Sequence, residues 1–239
     1  MPPPTPPRTQ PYSIACEGRH DQSFFAELCK VRGLSKFHVD QAGGNTQFGR
    51  YLEGLVKSTG VVPLEAVLVV GDNNGDPDKS FKEIRKQIQE ASNVVDVGVP
   101  SEPFELATKG TSGVATVVMM IPFDLDRNPL PGCLESVLYD AAHARVANLC
   151  PCVDEFRDRV AESHWNASRH DKMRFRSLIA ACCEDPHLSV CYAVHTSREI
   201  VDLSHSSLTG IIQFLEKFDA WLKQERRLAQ SEALRSADF

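Results

Sequence analysis

The sequence predicts an α/β fold with a mostly parallel sheet flanked by helices and a helical C-terminal part. In the first half of the chain, short and almost entirely apolar segments alternate with segments whose apolar residues recur at helical spacing. The breaks between them are short and polar or glycine-rich. Beyond Pro131 only the helical spacing continues. Because parallel strands need crossover connections, this alternation favours a sheet covered by helices on both faces.

The predicted elements follow one another in regular order along the chain. Buried strands are expected, from their length and apolar content, at 12–16, 36–39, 66–70 and 114–121. Between these strands, helical spacing covers 21–31, 48–56 and 79–90. In the second half, helices are predicted at 133–147, 153–159, 171–183 and 208–227.

These elements divide the chain into four parts. Residues 1–11 contain six of the fifteen prolines, a composition that favours an extended, flexible tail. The α/β domain is expected over 12–140, and a helical part packed on it over 141–229. The final stretch, 230–239, is polar and is predicted to be a second flexible tail.

Charge and composition exclude several classes of protein. The net charge of −6 is not that of a protein that coats DNA through an overall positive field, so a polyanion must bind locally or through metal. The longest uncharged apolar run, 114–123, is about half the length of a membrane span, and no secretion signal precedes it. The eight cysteines include no Cys-x-x-Cys, which favours reduced thiols and a cytoplasmic location.

Two carboxylates lie near the end of the first predicted strand. Glu17 follows the strand directly, and Asp21 lies at the entry to the first helix. Gly18 allows a tight turn between them, so both side chains can face the same crevice at the strand end. Helix capping is an alternative explanation that suits Asp21 well and Glu17 poorly.

A second group of oxygen ligands follows the most apolar predicted strand. Asp72 leaves the carboxyl end of that strand, and Asn74, Asp76 and Asp78 follow within one loop. Carboxylate and amide oxygens are the ligands that Mg²⁺ or Mn²⁺ requires. A polar turn with a helix cap explains the same loop, with Asp76 or Asp78 as the cap. Asp72 is the residue that we expect to be functional.

The order of these residues resembles the motifs of TOPRIM domains. The first motif, a strand ending in Glu-Gly-x-x-Asp before a helix, is matched at 17–21. The second, an Asp-x-Asp at the end of a later strand, falls at 72–74. Residues 131–135, Pro-Gly-Cys-Leu-Glu, resemble the Leu-Glu element of small stand-alone TOPRIM proteins related to the OLD (overcoming lysogenization defect) nucleases. Together the motifs cover 12–140.

The resemblance implies a TOPRIM/Rossmann-like sheet and a divalent-metal site for phosphoryl transfer on nucleic acid, as in topoisomerases, primases and OLD-type nucleases. It implies that Glu17 is a metal ligand or general acid/base, that Asp21 is a supporting carboxylate, and that Asp72 is a metal ligand. In OLD-like sites Glu135 would be a further ligand, and Lys172 would stabilise charge in the transition state.

One position departs from the TOPRIM pattern. The second carboxylate of Asp-x-Asp is Asn74 in this chain. An amide can coordinate a cation but adds no negative charge. Either Asp76 substitutes for the missing carboxylate, or the affinity for metal falls.

A basic cluster begins the helix predicted near residue 171. Arg169, Lys172 and Arg176 share one face if the segment is helical, and such a face can neutralise phosphates. A solvated helix face with no ligand is the alternative reading.

These features therefore indicate two candidate functions. The first is a nuclease or related phosphoryl-transfer enzyme that depends on Mg²⁺ or Mn²⁺, acts on DNA or RNA and, through its resemblance, is associated with phage defence. The second is a degenerate TOPRIM-like module that binds nucleic acid, nucleotide or a protein partner without cutting; a homodimer is compatible with either. The clustered carboxylates should repel one another without a cation, so Asp72→Asn is expected to stabilise the metal-free protein.

Overall fold

The computed structural model describes residues 8–58, 60–109, 113–160, 164–182, 194 and 200–237. The strands are β1 (Tyr12–Cys16), β2 (Phe37–Gln41), β3 (Ala66–Asp72) and β4 (Ala115–Ile121). The helices are α1 (Arg19–Val31), α2 (Phe48–Lys57), α3 (Pro77–Ser92), α4 (Leu134–Val146), α5 (Cys150–Val160), α6 (Ala167–Cys182) and α7 (Thr209–Ala237). A 3₁₀ turn, Ser206–Leu208, precedes α7.

The four strands form one parallel sheet in the order β2-β1-β3-β4. This arrangement confirms the predicted α/β class. The chain leaves β1 toward one edge to form β2, and then returns past β1 to form β3. The strand order therefore reverses between β1 and β3, and ligands of open α/β sheets bind beyond the carboxyl ends of the strands at this point. Glu17 and Asp72 lie at these two ends.

Helices cover both faces of the sheet, as a buried parallel sheet requires. On one face, α2 and α3 pack against alternate residues of the central strands, including Val67 and Val69. On the other face, α1, α4, α6 and α7 form a second core with Leu68 and Val117. Phe175 of α6 and Phe218 of α7 are almost completely buried in this second core. Helices of the C-terminal part therefore pack on the sheet.

Three helices in the C-terminal part begin or end away from their predicted boundaries. α6 begins at Ala167, four residues early, because the side-chain Oδ1 of Asn166 accepts a hydrogen bond of 2.9 Å from the backbone N–H of Arg169. α5 begins at Cys150, with a proline in its first turn, where proline is tolerated. α7 continues to Ala237, so much of the predicted tail 230–239 is helical, in keeping with its Ala, Leu, Glu, Gln and Arg content. None of the helices in the described part of the chain has the length and apolarity needed to cross a membrane.

The proline-rich segment is anchored at its C-terminal end. Arg8 is only 7% exposed, and its Nη2 donates to the backbone oxygen of Val62 at 3.0 Å. The backbone oxygen of Pro11 accepts a hydrogen bond from Glu65 at 2.8 Å. The predicted tail 1–11 is therefore too long, because 8–11 belong to the folded domain; residues 1–7 lie outside the described part.

Phe175→Ala tests whether the helical part and the sheet share one core. Its ring has no exposed surface, so truncation should lower the free energy of unfolding by about 3–5 kcal/mol. Urea denaturation followed by circular dichroism measures the loss. The matched control is Phe156→Ala on α5, whose residue is 51% exposed and whose loss should cost less than about 0.5 kcal/mol. Separate unfolding transitions for sheet and helices would contradict a shared core.

Candidate metal centre

The end of β1 places two carboxylates beside the sheet. Glu17 leaves the strand, and Asp21 lies in the first turn of α1, where its Oδ2 accepts a hydrogen bond of 3.0 Å from the backbone N–H of Gly18. Asp21 therefore caps the helix, as the capping alternative predicts. Asp21 also lies close enough to Glu17, Asp72 and Glu135 to interact with them electrostatically.

Asp72 is the residue that joins the end of β3 to the C-terminal helices. Its Oδ1 accepts a hydrogen bond of 3.0 Å from the backbone N–H of Leu134, at the start of α4. Its Oδ2 accepts a hydrogen bond of 2.9 Å from Nζ of Lys172 on α6. The side chain of Asp72 is 10% exposed, so both contacts are largely shielded from water.

Glu135 and Cys133 complete the group around Asp72. One ligand atom from each of Asp72, Cys133 and Glu135 can be chosen so that all three lie within 4.8 Å of one another. Glu135 is 4% exposed, so its carboxylate is largely shielded from water. Glu17 lies outside this tight group, but its carboxylate accepts a backbone hydrogen bond from Asp72. Glu17, Asp72 and Glu135 therefore lie near one another at one edge of the sheet.

Cys133 is a candidate ligand that the sequence did not reveal. Its S–H group points to the backbone oxygen of Ser168 at 3.6 Å. Burial, followed by the charges of Asp72 and Glu135, raises the pKa of Cys133 to about 12. The group is therefore a neutral thiol at pH 7, and a soft ligand of this kind suits Zn²⁺ better than Mg²⁺. The only sequence signal was its position two residues before Glu135.

Two asparagines hold the loop that delivers Glu135. Nδ2 of Asn73 donates to the backbone oxygens of Pro122 and Leu130, at 2.5 and 2.6 Å. The backbone oxygen of Asn74 accepts a hydrogen bond of 2.7 Å from Gly132. Asn74 adopts a positive φ of 53°, a conformation that asparagine tolerates well. These contacts fix the approach of α4 to the end of β3, a role that the sequence did not predict for Asn73.

Burial and mutual repulsion raise the pKa values of the clustered acids. Burial and then the charge of Asp72 raise the pKa of Asp21 to about 7. The pKa of Glu17 is raised by burial and by Asp72, while Lys172 opposes the shift. Burial raises the pKa of Asp72 despite the lowering effect of Lys172. One ammonium therefore does not neutralise the cluster, and the hard oxygen donors fit a divalent cation.

Lys172 changes one expectation from the sequence. Burial acts to lower its pKa, but the charge and hydrogen bond of Asp72 outweigh burial, so the pKa of Lys172 is raised and the ammonium stays charged. The expectation that Asp72→Asn stabilises the metal-free protein considered only like charges. Because this substitution removes the partner of a largely buried cation, it should destabilise the protein. Asp21, which has no such partner cation among the described residues, is the position where neutralisation should stabilise.

His20 is a further residue that the sequence did not single out. It lies on α1, and its Nδ1 is 4.0 Å from Oε1 of Glu135. Burial lowers the pKa of His20, and nearby Lys172 and Arg176 reinforce this shift against the opposing charge of Glu135. The imidazole is therefore neutral at pH 7 and able to accept a proton. A lone histidine has no diagnostic spacing, so the sequence carried little signal for it.

Asp76, predicted as a metal ligand, has a different role. Its Oδ1 accepts a hydrogen bond of 3.0 Å from the backbone N–H of Lys79, and it caps α3. The residue is exposed and is not a member of the metal-capable group. The capping alternative is therefore correct for Asp76. Asn74 also contributes no carboxylate, and its Nδ2 donates to the backbone oxygen of Asp72 at 3.3 Å.

The basic residues predicted to share a helix face do so. Arg169, Lys172 and Arg176 line one cavity on α6, together with Asn74 from the loop after β3. Lys172 also contacts Asp72, so the cavity adjoins the acidic cluster. Cationic and acidic side chains therefore lie side by side at the carboxyl ends of β1 and β3.

Asp21→Asn should flatten the pH dependence of stability in metal-free buffer. Between its ordinary value of 3.8 and the folded pKa of about 7, folded Asp21 holds a proton that the unfolded chain has released. The free energy of unfolding should therefore fall as pH rises through this range, by on the order of 4 kcal/mol in all. Urea denaturation across the range with EDTA measures the slope. Asp78→Asn, on the exposed side of α3, is the control; an unchanged slope in Asp21→Asn would refute this assignment.

Comparison with known proteins gives one match. A family described as a protein of unknown function, DUF3226, matches residues 11–220. Neither the curated proteins nor the solved structures contain a match. The matched range begins just before β1 and includes the acidic cluster, α6 and its basic face. This protein belongs to the DUF3226 family.

Proposed function

We propose that this protein is a divalent-metal-dependent nuclease or a related phosphoryl-transfer enzyme that acts on nucleic acid. The observation that carries the proposal is the convergence of four acidic side chains at the reversal point of the sheet, beside a charged lysine. These acids are Glu17, Asp21, Asp72 and Glu135. Burying several carboxylates together is unfavourable unless a cation offsets their charge, so the arrangement supports a metal-dependent reaction.

Asp72 and Glu135 are the residues that would hold the cation, with Glu17 and Asp21 supplying further negative charge. Their oxygens match the preference of Mg²⁺ and Mn²⁺ for hard ligands, and the partial exposure of Glu17 leaves room for bound water. Cys133 lies within reach of the same ion, but its protonated thiol adds little to binding of Mg²⁺. The proposed cofactor is therefore Mg²⁺ or Mn²⁺.

The side chains around this position can accept a proton and stabilise negative charge during phosphodiester cleavage. Divalent cations supply an activated water and charge stabilisation on the leaving oxygen when they are bound. Glu17 and the neutral His20 lie on the α1 side of the cluster, where either can accept the proton of the attacking water. Lys172 holds a positive charge at Asp72 and is partly exposed, so it can stabilise negative charge on the phosphate.

The TOPRIM resemblance supports the same proposal. The resemblance to OLD-like nucleases implies that Glu17, Asp72 and Glu135 bind metal. These three residues lie at one edge of the sheet. Through that resemblance we propose a role in phage defence. We also propose a cytoplasmic location, supported by the free thiols of Cys16, Cys29, Cys133, Cys150, Cys152 and Cys182.

One observation favours the second candidate, a non-cleaving TOPRIM-like module that binds nucleic acid, nucleotide or a protein partner. Both carboxylate oxygens of Asp72 already accept hydrogen bonds, from Leu134 and Lys172. Asn74 supplies no carboxylate to compensate. Each carboxylate oxygen has a second lone pair, so these bonds do not block coordination, but they weaken the attraction for a cation. Measured cleavage separates the two candidates.

Glu17→Gln and Asp72→Asn should each lower the rate of nucleic-acid cleavage in Mn²⁺ by at least about 100-fold, because each removes charge at the metal position. The assay compares single- and double-stranded DNA and RNA by gel electrophoresis. Asp76→Asn is the matched control, since asparagine caps a helix as well as aspartate does. Absence of cleavage by the unmodified protein on all four substrates would favour the non-cleaving module.

Adding Mg²⁺ or Mn²⁺ should raise the Tm of the unmodified protein and of Asp76→Asn. A ligand that binds only the folded state stabilises it by about 1.4 kcal/mol at ten times Kd. Asp72→Asn should abolish the shift, and calorimetry should show a site of millimolar affinity or better in the unmodified protein and in Asp76→Asn but not in Asp72→Asn. A Tm response that survives in Asp72→Asn would place the cation elsewhere.

A further inference from the structure

A cavity of about 520 Å³ lies beside the acidic cluster, on the exposed side of α6. The residues that line it include Asn74, Trp165, Arg169, Lys172 and Arg176. Its volume falls within the range of about 300–1,000 Å³ that small-ligand sites occupy. Lys172 and Asn74 both contact Asp72, so a ligand in the cavity would lie next to the proposed metal position.

Trp165 provides an aromatic wall of this cavity. The residue is half-buried, and the guanidinium carbon of Arg169 lies 4.5 Å from its ring centroid. Its Nε1 is buried and has no hydrogen-bond partner among the described residues. Packing against His170, with ring centroids 5.7 Å apart, holds the indole at the start of α6. The ring is therefore fixed by packing and cation contact rather than by a polar anchor.

A structural role accounts for part of this arrangement. Trp165 precedes the helix cap Asn166, and His170 lies in the following turn, which is the spacing of a hydrophobic staple. A staple needs an apolar side chain at this position but not an aromatic one. It also does not explain why the indole lines a cavity with three cations.

Two of the three cations that line the cavity have no carboxylate partner among the described residues. Arg169 and Arg176 are exposed, and neither forms an ion pair with a carboxylate in the described residues. Arg174, on another side of α6, is instead paired with Asp154 at 2.8 Å and with Asp171 at 3.4 Å. Arg174 therefore pairs with carboxylates of the protein, whereas Arg169 and Arg176 line the cavity.

We propose that this cavity binds an unpaired nucleobase and its adjoining phosphates, and that the substrate class is single-stranded nucleic acid. The proposal rests on the proposed function and deepens it by naming the substrate. Trp165 stacks on the base, and Arg169 and Arg176 bind the phosphates beside it, in the way that single-strand sites combine aromatic platforms with a cationic groove. Base pairs in a duplex are stacked on their neighbours on both faces, so a duplex cannot present a base to Trp165 without unstacking it.

Binding measured without metal tests the proposal separately from catalysis. The probes are a fluorescently labelled single-stranded DNA, an RNA of the same sequence, the corresponding DNA duplex, and the single nucleotide, each in buffer with EDTA. Fluorescence anisotropy should show that a single strand binds at least about 10-fold more tightly than the duplex and the single nucleotide, because only the strand offers an unpaired base together with several phosphates.

Two substitutions at Trp165 separate stacking from the staple. Trp165→Leu keeps an apolar staple but loses the aromatic face, and it should weaken binding of the single strand about 5- to 150-fold. Trp165→Phe keeps both and should retain most of the affinity. Phe156→Leu, an exposed aromatic on the neighbouring helix α5, is the matched control and should bind as the unmodified protein does. Circular dichroism melting shows whether each variant is folded.

Several results would overturn the proposal. These are equal binding of single strand and duplex, a single nucleotide that binds as tightly as the strand, or a folded Trp165→Leu with unchanged affinity. The proposed function fails in a different way, through absence of metal-dependent cleavage while single-strand binding persists in EDTA. Cleavage of duplex at full rate by Trp165→Leu would refute this inference and leave the nuclease proposal standing.

Discussion

The contacts of Asp72 connect the two halves of this protein. The residue closes the central strand β3, receives the first backbone N–H of α4 through Leu134, and pairs with Lys172 of α6. A single side chain therefore connects the sheet, the first turn of α4 that carries Glu135, and the helix that lines the cationic cavity. Since the carboxylate is largely buried, each contact is stronger than it would be at the surface.

The acidic side chains around Asp72 repel one another. Glu17 lies at the end of β1, Asp21 in the first turn of α1 and Glu135 in the first turn of α4, and the packing of these elements holds all three near Asp72. A stable protein retains such a cluster only where something else depends on it, which is why the arrangement indicates function more strongly than any one of its members. The backbone contacts of Asn73 and Asn74 belong to the same framework, because they keep the loop before α4 from relaxing away from the acids.

The sequence predicted the sheet well because its strands are short, almost wholly apolar and separated by polar breaks. Glu17 and Asp72 were identifiable for the same reason, since each directly follows such a strand. The ion pair between Asp72 and Lys172 could not be predicted, because 100 residues separate the two and no local sequence pattern indicates the contact. Trp165 was missed because it precedes a helix whose start depends on one side-chain cap, and the apolar spacing begins only afterwards.

The ion pair between Lys172 and Asp72 also makes cation binding and anion binding interdependent. A cation that binds Asp72 must share that carboxylate with the ammonium, whereas an anion that attracts the ammonium leaves the carboxylate more available. By thermodynamic reciprocity, whatever factor an anion contributes to the affinity for the cation, the cation contributes to the affinity for the anion. A cation at Asp72 and an anion at Lys172 would therefore each increase the affinity for the other.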